Sequence, residues 1–319
     1  MEINVNLIYK IYEEAFKVRF AEELIAENYS HGKMRCPTHL SIGQELVPAV
    51  LSLFNKYEDL AVSTHRGHGH YIAKGGSLIR FFDELHGLDS GCSSGHGGSM
   101  HLIDNSVGFK GSTAIVGNTI PVGVGLANSL KLEQTKNFTY IFLGDGATEE
   151  GVFYESLHYS IVKNLPCFFV IENNEYSVYT NLETRQKNAS IESRVKGFNA
   201  DYHICEAHDF RTLIKIWGES INKLRKNKGP QVLEVKTHRY REHCGPNFDD
   251  ELNYRETEFI NKWETLDILS LLKQDKILLN EKNLLFTKIE NKIKEEISSL
   301  FQKSLYKRDK SFSEFRGNT

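Results

Sequence analysis

The chain has 319 residues, of which 40% are hydrophobic and 25% charged, a composition typical of globular proteins with length enough for one large core or two modest ones. The formal net charge of −3 gives no electrostatic case for nucleic-acid binding. No run approaches the roughly 20 apolar residues of a membrane span, and the glutamate-rich N-terminus lacks the apolar core of a secretory signal. Five cysteines without a CxxC pair fit a reducing compartment. We therefore predict a soluble, cytoplasmic protein.

The first predicted elements are two helices joined by a loop. Apolar side chains recur at helical spacing over residues 4–30, and we interpret this stripe as core. Pro37 punctuates the loop that follows, and an apolar stretch at 46–54 predicts the second helix. His39 lies in this loop, where a single histidine is more often structural, so the residue pattern alone assigns it no role.

A dense cluster of histidine, arginine and glycine follows at residues 61–76, and nothing in it can fill a core. Zinc is one ligand that suits the cluster, since His65, His68 and His70 are spaced two or three residues apart. A diphosphate is the other, because the guanidinium of Arg66 is always charged and forked. No matching cysteine or aspartate accompanies the histidines, and Arg66 would repel a metal ion, so we favour the diphosphate.

Two glycine-rich stretches come next. Residues 90–101, SGCSSGHGGSMH, are too rich in glycine and serine for regular structure, and they form either a surface loop or a loop over a ligand. The second half of residues 111–128 predicts a helix in which Gly123, Gly125 and Ala127 permit close packing against a neighbour.

The stretch 138–179 organises the chain. Apolar runs at 138–143 and 167–171 flank a helix whose apolar residues recur at every fourth position. Two such runs around one helix predict a βαβ unit in a parallel sheet. The carboxyl ends of both strands would then face the same crevice, where open α/β sheets bind ligands.

The residues at the two strand ends have the chemistry of a metal and phosphate site. Asp145 follows the first run and Asn174 the second, and paired strands lie roughly 4.8 Å apart. One carboxylate and one amide oxygen suit Mg²⁺, which takes its other ligands from phosphate and water. Gly146 and Ala147 leave backbone N–H groups open at a helix start, a position that favours phosphate. The alternative is that GDG is a turn and NN a polar loop.

Periodicity also predicts the elements after this unit. They are a strand over 197–206, a helix over 210–226, a strand over 231–236, two helices over 260–300 and a charged, frayed tail from Lys303.

The motif GDGATEEG…ENNEY resembles the thiamine diphosphate motif, in which GDG is followed about thirty residues later by NN. The resemblance extends to THLSIGQE (38–45), STHRGHGHYIAKG (63–75), GHGGSMHL (95–102) and AIVGNTIPVGVGLA (114–127). On these motifs the chain resembles the α subunits of acetoin dehydrogenase and pyruvate dehydrogenase E1, from Met34 to about His243. The resemblance implies an α/β fold with a doubly wound, mostly parallel sheet flanked by helices. Residues 1–265 would form the thiamine diphosphate-binding domain, and 266–319 a C-terminal helical tail packed on it.

The resemblance also implies the roles of individual residues. Mg²⁺ would be held by Asp145, Asn174 and the carbonyl of Tyr176. The diphosphate would be held by Arg66, Gly146, Ala147, Asn174 and His243, with His65 in a position often held by tyrosine. Main-chain groups at Ala114 and Val116 would hold the aminopyrimidine ring. His39 would line the approach to the reactive carbon and His68 the pocket wall, which makes His39, His68 and His243 the candidate catalytic residues.

The implied reaction is attack of the cofactor's carbanion on a carbonyl of a 2-oxo acid or acyloin, after which the adjacent C–C bond breaks. Formation of the carbanion needs a carboxylate against the pyrimidine ring. The family supplies that glutamate from a β subunit, so an α₂β₂ assembly is expected, with sites at the subunit interfaces. A dehydrogenase of this kind passes its acyl group to the lipoyl-lysine of an acyltransferase.

Residues 244–250 depart from the family pattern, although His243 matches it. Cys244 stands where the family usually has serine, and it cannot serve the phosphorylation control that some mitochondrial members use. The altered loop leaves open a transferase that passes its two-carbon or acyl unit to another acceptor, such as an activated sugar. A further alternative is a catalytically silent scaffold subunit, which predicts a degraded metal set, whereas Asp145, Asn174 and Arg66 are all present.

Overall fold

The buried apolar runs of the sequence form the strands of one parallel sheet. The structure is a computed structural model and describes residues 3–34, 36–187, 190–278 and 284–317. Its strands are β1 (Leu60–Thr64), β2 (Phe109–Thr113), β3 (Thr139–Gly144), β4 (Cys167–Asn173), β5 (Tyr176–Ser177), β6 (Thr180–Asn181), β7 (Asp201–Glu206) and β8 (Gln231–Lys236). The six-stranded sheet has the order β2-β1-β3-β4-β8-β7 with every pair parallel, and β5 and β6 form a separate antiparallel hairpin. The predicted fold class is confirmed.

Helices cover both faces of this sheet. They are α1 (Val5–Tyr29), α2 (Leu46–Phe54), α3 (His68–Ala73), α4 (Leu78–Leu85), α5 (Thr119–Leu132), α6 (Gly151–Val162), α7 (Leu182–Arg185), α8 (Ile191–Lys196), α9 (Phe210–Leu224), α10 (Thr257–Thr265), α11 (Ile268–Lys273) and α12 (Leu284–Gly317). The apolar stripe predicted for the first helix is buried along α1. Among the helices described, none is long and apolar enough to cross a membrane.

The predicted βαβ unit is present at the centre of the sheet. β3 and β4 are direct parallel neighbours with α6 between them in sequence, and Gly144 lies opposite Glu172. The prediction that Gly146 and Ala147 lie at the start of the helix was wrong, because a 3₁₀ turn, Asp145–Glu149, separates β3 from α6. The N–H groups of Gly146 and Ala147 therefore belong to that short turn and not to the first turn of α6.

The alternation of side chains along each strand divides the interior into two cores. Tyr140 and Phe142 of β3 belong to the larger core, together with residues of α1, α2, α9 and α12. Ile141 and Leu143 of the same strand belong to the smaller core, with residues of α5, α6 and α8.

Three predictions after the central unit need correction. The strand predicted over 197–206 begins at Asp201, because the residues before it form a turn. The stretch 260–300 holds parts of three helices, α10, α11 and α12, where two were predicted; residues 279–283 lie outside the described ones. The prediction of a frayed tail from Lys303 was wrong, since α12 continues to Gly317.

The last helix is fixed to the rest of the fold by polar contacts as well as by apolar packing. Ser304 is buried with its hydroxyl 2.8 Å from Nδ1 of His86, and Lys307 contacts Asp83 at 2.6 Å. α12 also packs along α1, where the Tyr12 hydroxyl donates to Glu290. The division at residue 265 stays a prediction.

Candidate active site

A cavity of about 250 Å³ opens at the carboxyl ends of the central strands. It is lined by every predicted site residue except His68, namely His39, His65, Arg66, Ala114, Val116, Asp145, Gly146, Ala147, Asn174, Tyr176 and His243. The loops after β1, β2, β3, β4 and β8 supply most of these residues, as expected for a crevice at the carboxyl edge of a parallel sheet.

The two strand-end residues lie in this cavity with defined orientations. Asp145 is 2% exposed and Asn174 is 9% exposed. The side-chain N–H of Asn174 donates to Gln44 Oε1 at 3.0 Å, and its amide oxygen accepts the Tyr176 N–H at 3.2 Å. Gln44 therefore fixes which way the amide points, a role that sequence reasoning missed.

A second residue missed from the sequence is Glu172, whose carboxylate also lines the cavity. One of its oxygens lies 3.1 Å from Nε2 of His70, and the other accepts from Gln44 at 3.5 Å. His70 is held by the Ser63 hydroxyl at 2.8 Å and stacks on Phe142. The sequence did contain one indication of this role for Glu172: it is a charged residue at the end of a buried apolar run, and such a residue needs polar partners.

Arg66 supplies a buried positive charge at the cavity. Its guanidinium donates to the carbonyl oxygens of Leu40 and His243. Burial, with a contribution from nearby Arg239, lowers the pKa of Arg66 to about 10, so the group stays charged at neutral pH. A guanidinium fixed at the cavity suits an anionic ligand such as a phosphate.

Three histidines meet beside Arg66. The ring centroid of His39 lies 4.6 Å from that of His65 and 5.1 Å from that of His243. Burial, followed by the charge of Arg66, lowers the pKa of His39 to about 2, of His65 to about 3 and of His243 to about 4. All three imidazoles are therefore neutral at physiological pH and can accept or donate hydrogen bonds.

This arrangement changes which histidines could bind zinc. In the described part of the chain, His39, His65 and His243 are the group whose ligating atoms, all within 4.8 Å of one another, could hold a metal ion. Of the histidines in the predicted 61–76 cluster, His65 alone belongs to that group, because His68 and His70 are bonded elsewhere.

The expectation that His68 lines the pocket wall is corrected by its contacts. Its Nδ1 lies 3.0 Å from Glu22 Oε1, and its Nε2 lies 2.7 Å from the Ser99 hydroxyl. The same Glu22 carboxylate accepts the Ser41 N–H at 2.7 Å. With both ring nitrogens engaged, His68 supports the segments behind the cavity and does not face it.

The glycine- and serine-rich loop predicted at 90–101 reaches the cavity through Met100, whereas His101 is exposed. The loop has no regular structure, as expected. Its amides instead converge on the buried carboxylate of Glu84, which accepts four N–H groups at 2.7 to 3.0 Å; the donors are Ser93, Gly95, Gly97 and Gly98.

Arg185 was not predicted to be near the site, yet it contacts Asp145. The guanidinium on α7 pairs with the carboxylates of Asp145 and Glu149. Burial raises the pKa of Asp145, and Arg185 opposes that rise.

Comparison with known proteins places this geometry in a family. Residues 12–311 match the sequence model described as dehydrogenase E1 component. The chain belongs to the dehydrogenase E1 component family. The subunit alpha of the pyruvate dehydrogenase E1 component from Rickettsia prowazekii (strain Madrid E) is 34% identical over 273 residues, which are 86% of this chain and 82% of that protein.

A second relative agrees with this membership, and a solved structure agrees with the fold. The subunit alpha of acetoin:2,6-dichlorophenolindophenol oxidoreductase from Bacillus subtilis (strain 168) is 35% identical over 72% of this chain and 69% of that protein. The structure of transketolase from Campylobacter jejuni superposes with a TM-score of 0.58 at 16% identity, covering 90% of this chain. The chain spans half of that transketolase, and this likeness shows the fold alone.

As an E1 α-type chain, this protein is one subunit of a two-component, thiamine diphosphate-dependent enzyme that cleaves a C–C bond next to the carbonyl of a 2-oxo acid or acyloin. Its partner is a β subunit.

Proposed function

We propose that the cavity binds thiamine diphosphate together with Mg²⁺. In this proposal Asp145, Asn174 and the carbonyl of Tyr176 hold the ion, and Arg66, His65, Gly146, Ala147, Asn174 and His243 hold the diphosphate. The backbone at Ala114 and Val116 holds the aminopyrimidine ring. The observation that carries the proposal is the meeting of Asp145 and Asn174 in one cavity that also contains Arg66.

The chemistry of the donor set supports this ligand. Asp145 and Asn174 offer one carboxylate and one amide oxygen, and Mg²⁺ characteristically uses few protein ligands and completes its shell with phosphate oxygens and water. Arg66 matches the phosphates in charge and shape. When bound, thiamine diphosphate supplies a nucleophilic carbon for attack on a carbonyl.

The three neutral imidazoles are the proposed proton-handling groups. His39 is 8% exposed, and its Nδ1 has no hydrogen-bond partner among the described residues. That nitrogen is therefore a buried polar atom that lacks a partner, as expected where a bound ligand supplies one. The imidazole rings of His65 and His243 lie next to that of His39, and as neutral groups they can donate a hydrogen bond to a substrate oxygen.

We further propose that the β subunit supplies the activating glutamate in an α₂β₂ assembly. Ile115 and Val116 line the cavity but stay 63% and 50% exposed, so this wall is incomplete in the single chain. Glu172 is the glutamate in the described lining, and its carboxylate lies 3.1 Å from Nε2 of His70 and accepts a hydrogen bond from Gln44.

The proposed acceptor is the lipoyl-lysine of an acyltransferase, and the proposed location is the cytoplasm, where the five free thiols would stay reduced. A transferase acting on an activated sugar is the alternative that the 244–250 loop leaves open. Acyl transfer to an isolated lipoyl domain, measured with the β partner present, separates the two.

Replacement of the metal carboxylate tests the proposed site. We expect Asp145→Ala to abolish Mg²⁺-dependent binding of thiamine diphosphate to the α–β complex, measured by calorimetry, because a sparse ligand set cannot lose its only carboxylate. Asp275→Ala is the control, since Asp275 forms an ion pair with Arg211 and neither residue is in the described cavity lining. Unchanged cofactor binding by Asp145→Ala would refute the site and favour a scaffold subunit.

A further inference from the structure

Arg185 lies just behind the proposed ion site. Its side chain is 10% exposed and is absent from the described residues that line the cavity. Nη2 pairs with Oδ2 of Asp145, Nη1 pairs with Glu149, and Nε donates to the carbonyl oxygen of Thr180 at 3.0 Å. The guanidinium therefore reaches Asp145 from outside the cavity.

The two oxygens of the Asp145 carboxylate therefore have different partners. Oδ2 is taken up by Arg185, and an ionised carboxylate has two oxygens with about four lone-pair sites. Oδ1 is then the oxygen available to an ion in the cavity. A charge-assisted bond to a planar guanidinium fixes the rotation of the carboxylate better than a neutral donor would.

Arg185 also joins the two segments that carry the proposed ligands. Asp145 lies in the 3₁₀ turn after β3, and Tyr176 lies in the β5–β6 hairpin, opposite Asn181. Arg185 holds the turn through Asp145 and the hairpin through Thr180.

The neighbouring residues reinforce the same link. The side-chain N–H of Gln186 donates to Thr148 Oγ1 at 3.1 Å and to Glu149 at 2.7 Å, and the Leu182 N–H donates to Glu175 O at 2.7 Å. These contacts from residues of and next to α7 therefore fix the position of the Asp145 carboxylate relative to the Tyr176 carbonyl.

We propose that Arg185 is a positioning residue of the divalent-ion site: it orients Asp145 and holds the hairpin that presents the Tyr176 carbonyl. This inference rests on the proposed function. Hydrogen-bond partners behind a metal ligand fix its orientation, and their loss typically weakens metal affinity roughly 10- to 100-fold.

The test is a titration of the α–β complex with Mn²⁺ as a substitute for Mg²⁺, at a fixed saturating concentration of thiamine diphosphate. Free Mn²⁺ is followed by electron paramagnetic resonance. We expect Arg185→Gln to weaken Mn²⁺ binding roughly 10- to 100-fold and Arg185→Lys to recover part of the loss. Arg211→Gln, which removes a surface arginine paired with Asp275, should bind like wild type.

A second readout separates positioning from structural damage. For a positioning residue, raising Mn²⁺ should restore the full stoichiometry of bound thiamine diphosphate in Arg185→Gln; a deficit that persists at saturating Mn²⁺ would overturn the inference. Wild-type Mn²⁺ affinity would also overturn it, and so would tighter binding, which would mean that Arg185 competes with the ion. If Asp145→Ala weakens Mn²⁺ binding while Arg185→Gln does not, this inference alone fails; if neither does, the proposed site fails.

Discussion

The two faces of the sheet are covered differently. On one face the larger core includes α2 and α9, and α2 in turn contacts α1, which packs along α12. On the other face α5 and α6 pack on the sheet and on each other, and their outer sides expose apolar residues. These exposed residues are Val122, Leu132, Tyr159 and Val162.

The difference shows which face this chain completes by itself. A helix covered by further helices can be apolar all round, and the first six residues of α2 are buried. Exposed apolar side chains on neighbouring helices, next to a cavity with an open apolar wall, mark a surface for a partner. The doubly covered face is therefore expected to govern folding, and the singly covered face to govern assembly.

The largest effect is expected from the doubly covered face. Trp217 on α9 is fully buried and packs against Tyr140 and Phe168, with ring centroids 5.9 and 5.1 Å away. Trp217→Ala should lower the free energy of unfolding by about 3–5 kcal/mol, because it removes a large buried side chain and leaves a cavity. Chemical denaturation of the single chain measures this, and a loss below about 1 kcal/mol would contradict the assignment of this face to folding.

Two glycines on α5 provide a matched pair for the other face. A Cβ on Gly123 would lie 2.6 Å from Ile141 Cγ1 and 2.8 Å from Val62 Cγ2, whereas one on Gly125 would meet nothing within 4 Å. Gly123→Val should destabilise the chain by about 1–3 kcal/mol through overpacking, and Gly125→Val by less than about 0.5 kcal/mol. Thermal unfolding of both variants checks this, and equal losses would show that α5 does not lie against the sheet as described.

Val162 is 65% exposed on α6. We expect a substitution there to have the smallest effect on folding but a clear effect on assembly. Val162→Asp should weaken association with the β partner at least roughly tenfold, because an unpaired charge would be buried in the interface. Tyr306→Asp is the control, since Tyr306 is exposed on α12, on the doubly covered side. Sedimentation velocity measures the association, and identical behaviour of the two variants would argue against a partner on the α5–α6 side.

The sequence predicted the parts of the site that depend on strand ends. Asp145 and Asn174 follow apolar runs, and parallel pairing brings the ends of β3 and β4 to one edge whatever the loops do. Arg185 could not be predicted in this way. It lies 40 residues from Asp145 in sequence, and its contact depends on the path of the β5–β6 hairpin, which no periodicity encodes.

The errors at His68 and in the C-terminal segment have a similar cause. A cluster of histidines shows that a loop is polar, but it does not show which imidazole turns towards a buried carboxylate, as His68 does towards Glu22. The charge of the C-terminal segment likewise predicted fraying, because its partners lie far away in sequence: Lys307 pairs with Asp83 across 224 residues. Local composition cannot anticipate either contact.

The pairing of α1 with α12 has a consequence for biosynthesis. Tyr12 and its partner Glu290 are 278 residues apart, so α1 emerges from the ribosome long before the helix that covers it. At ordinary translation speeds that interval is roughly 15–55 seconds. During that interval the side of α1 that packs against α12 has no native partner and stays accessible to chaperones and to other nascent chains, whereas the residues of α1 that contact α2 can be covered much earlier.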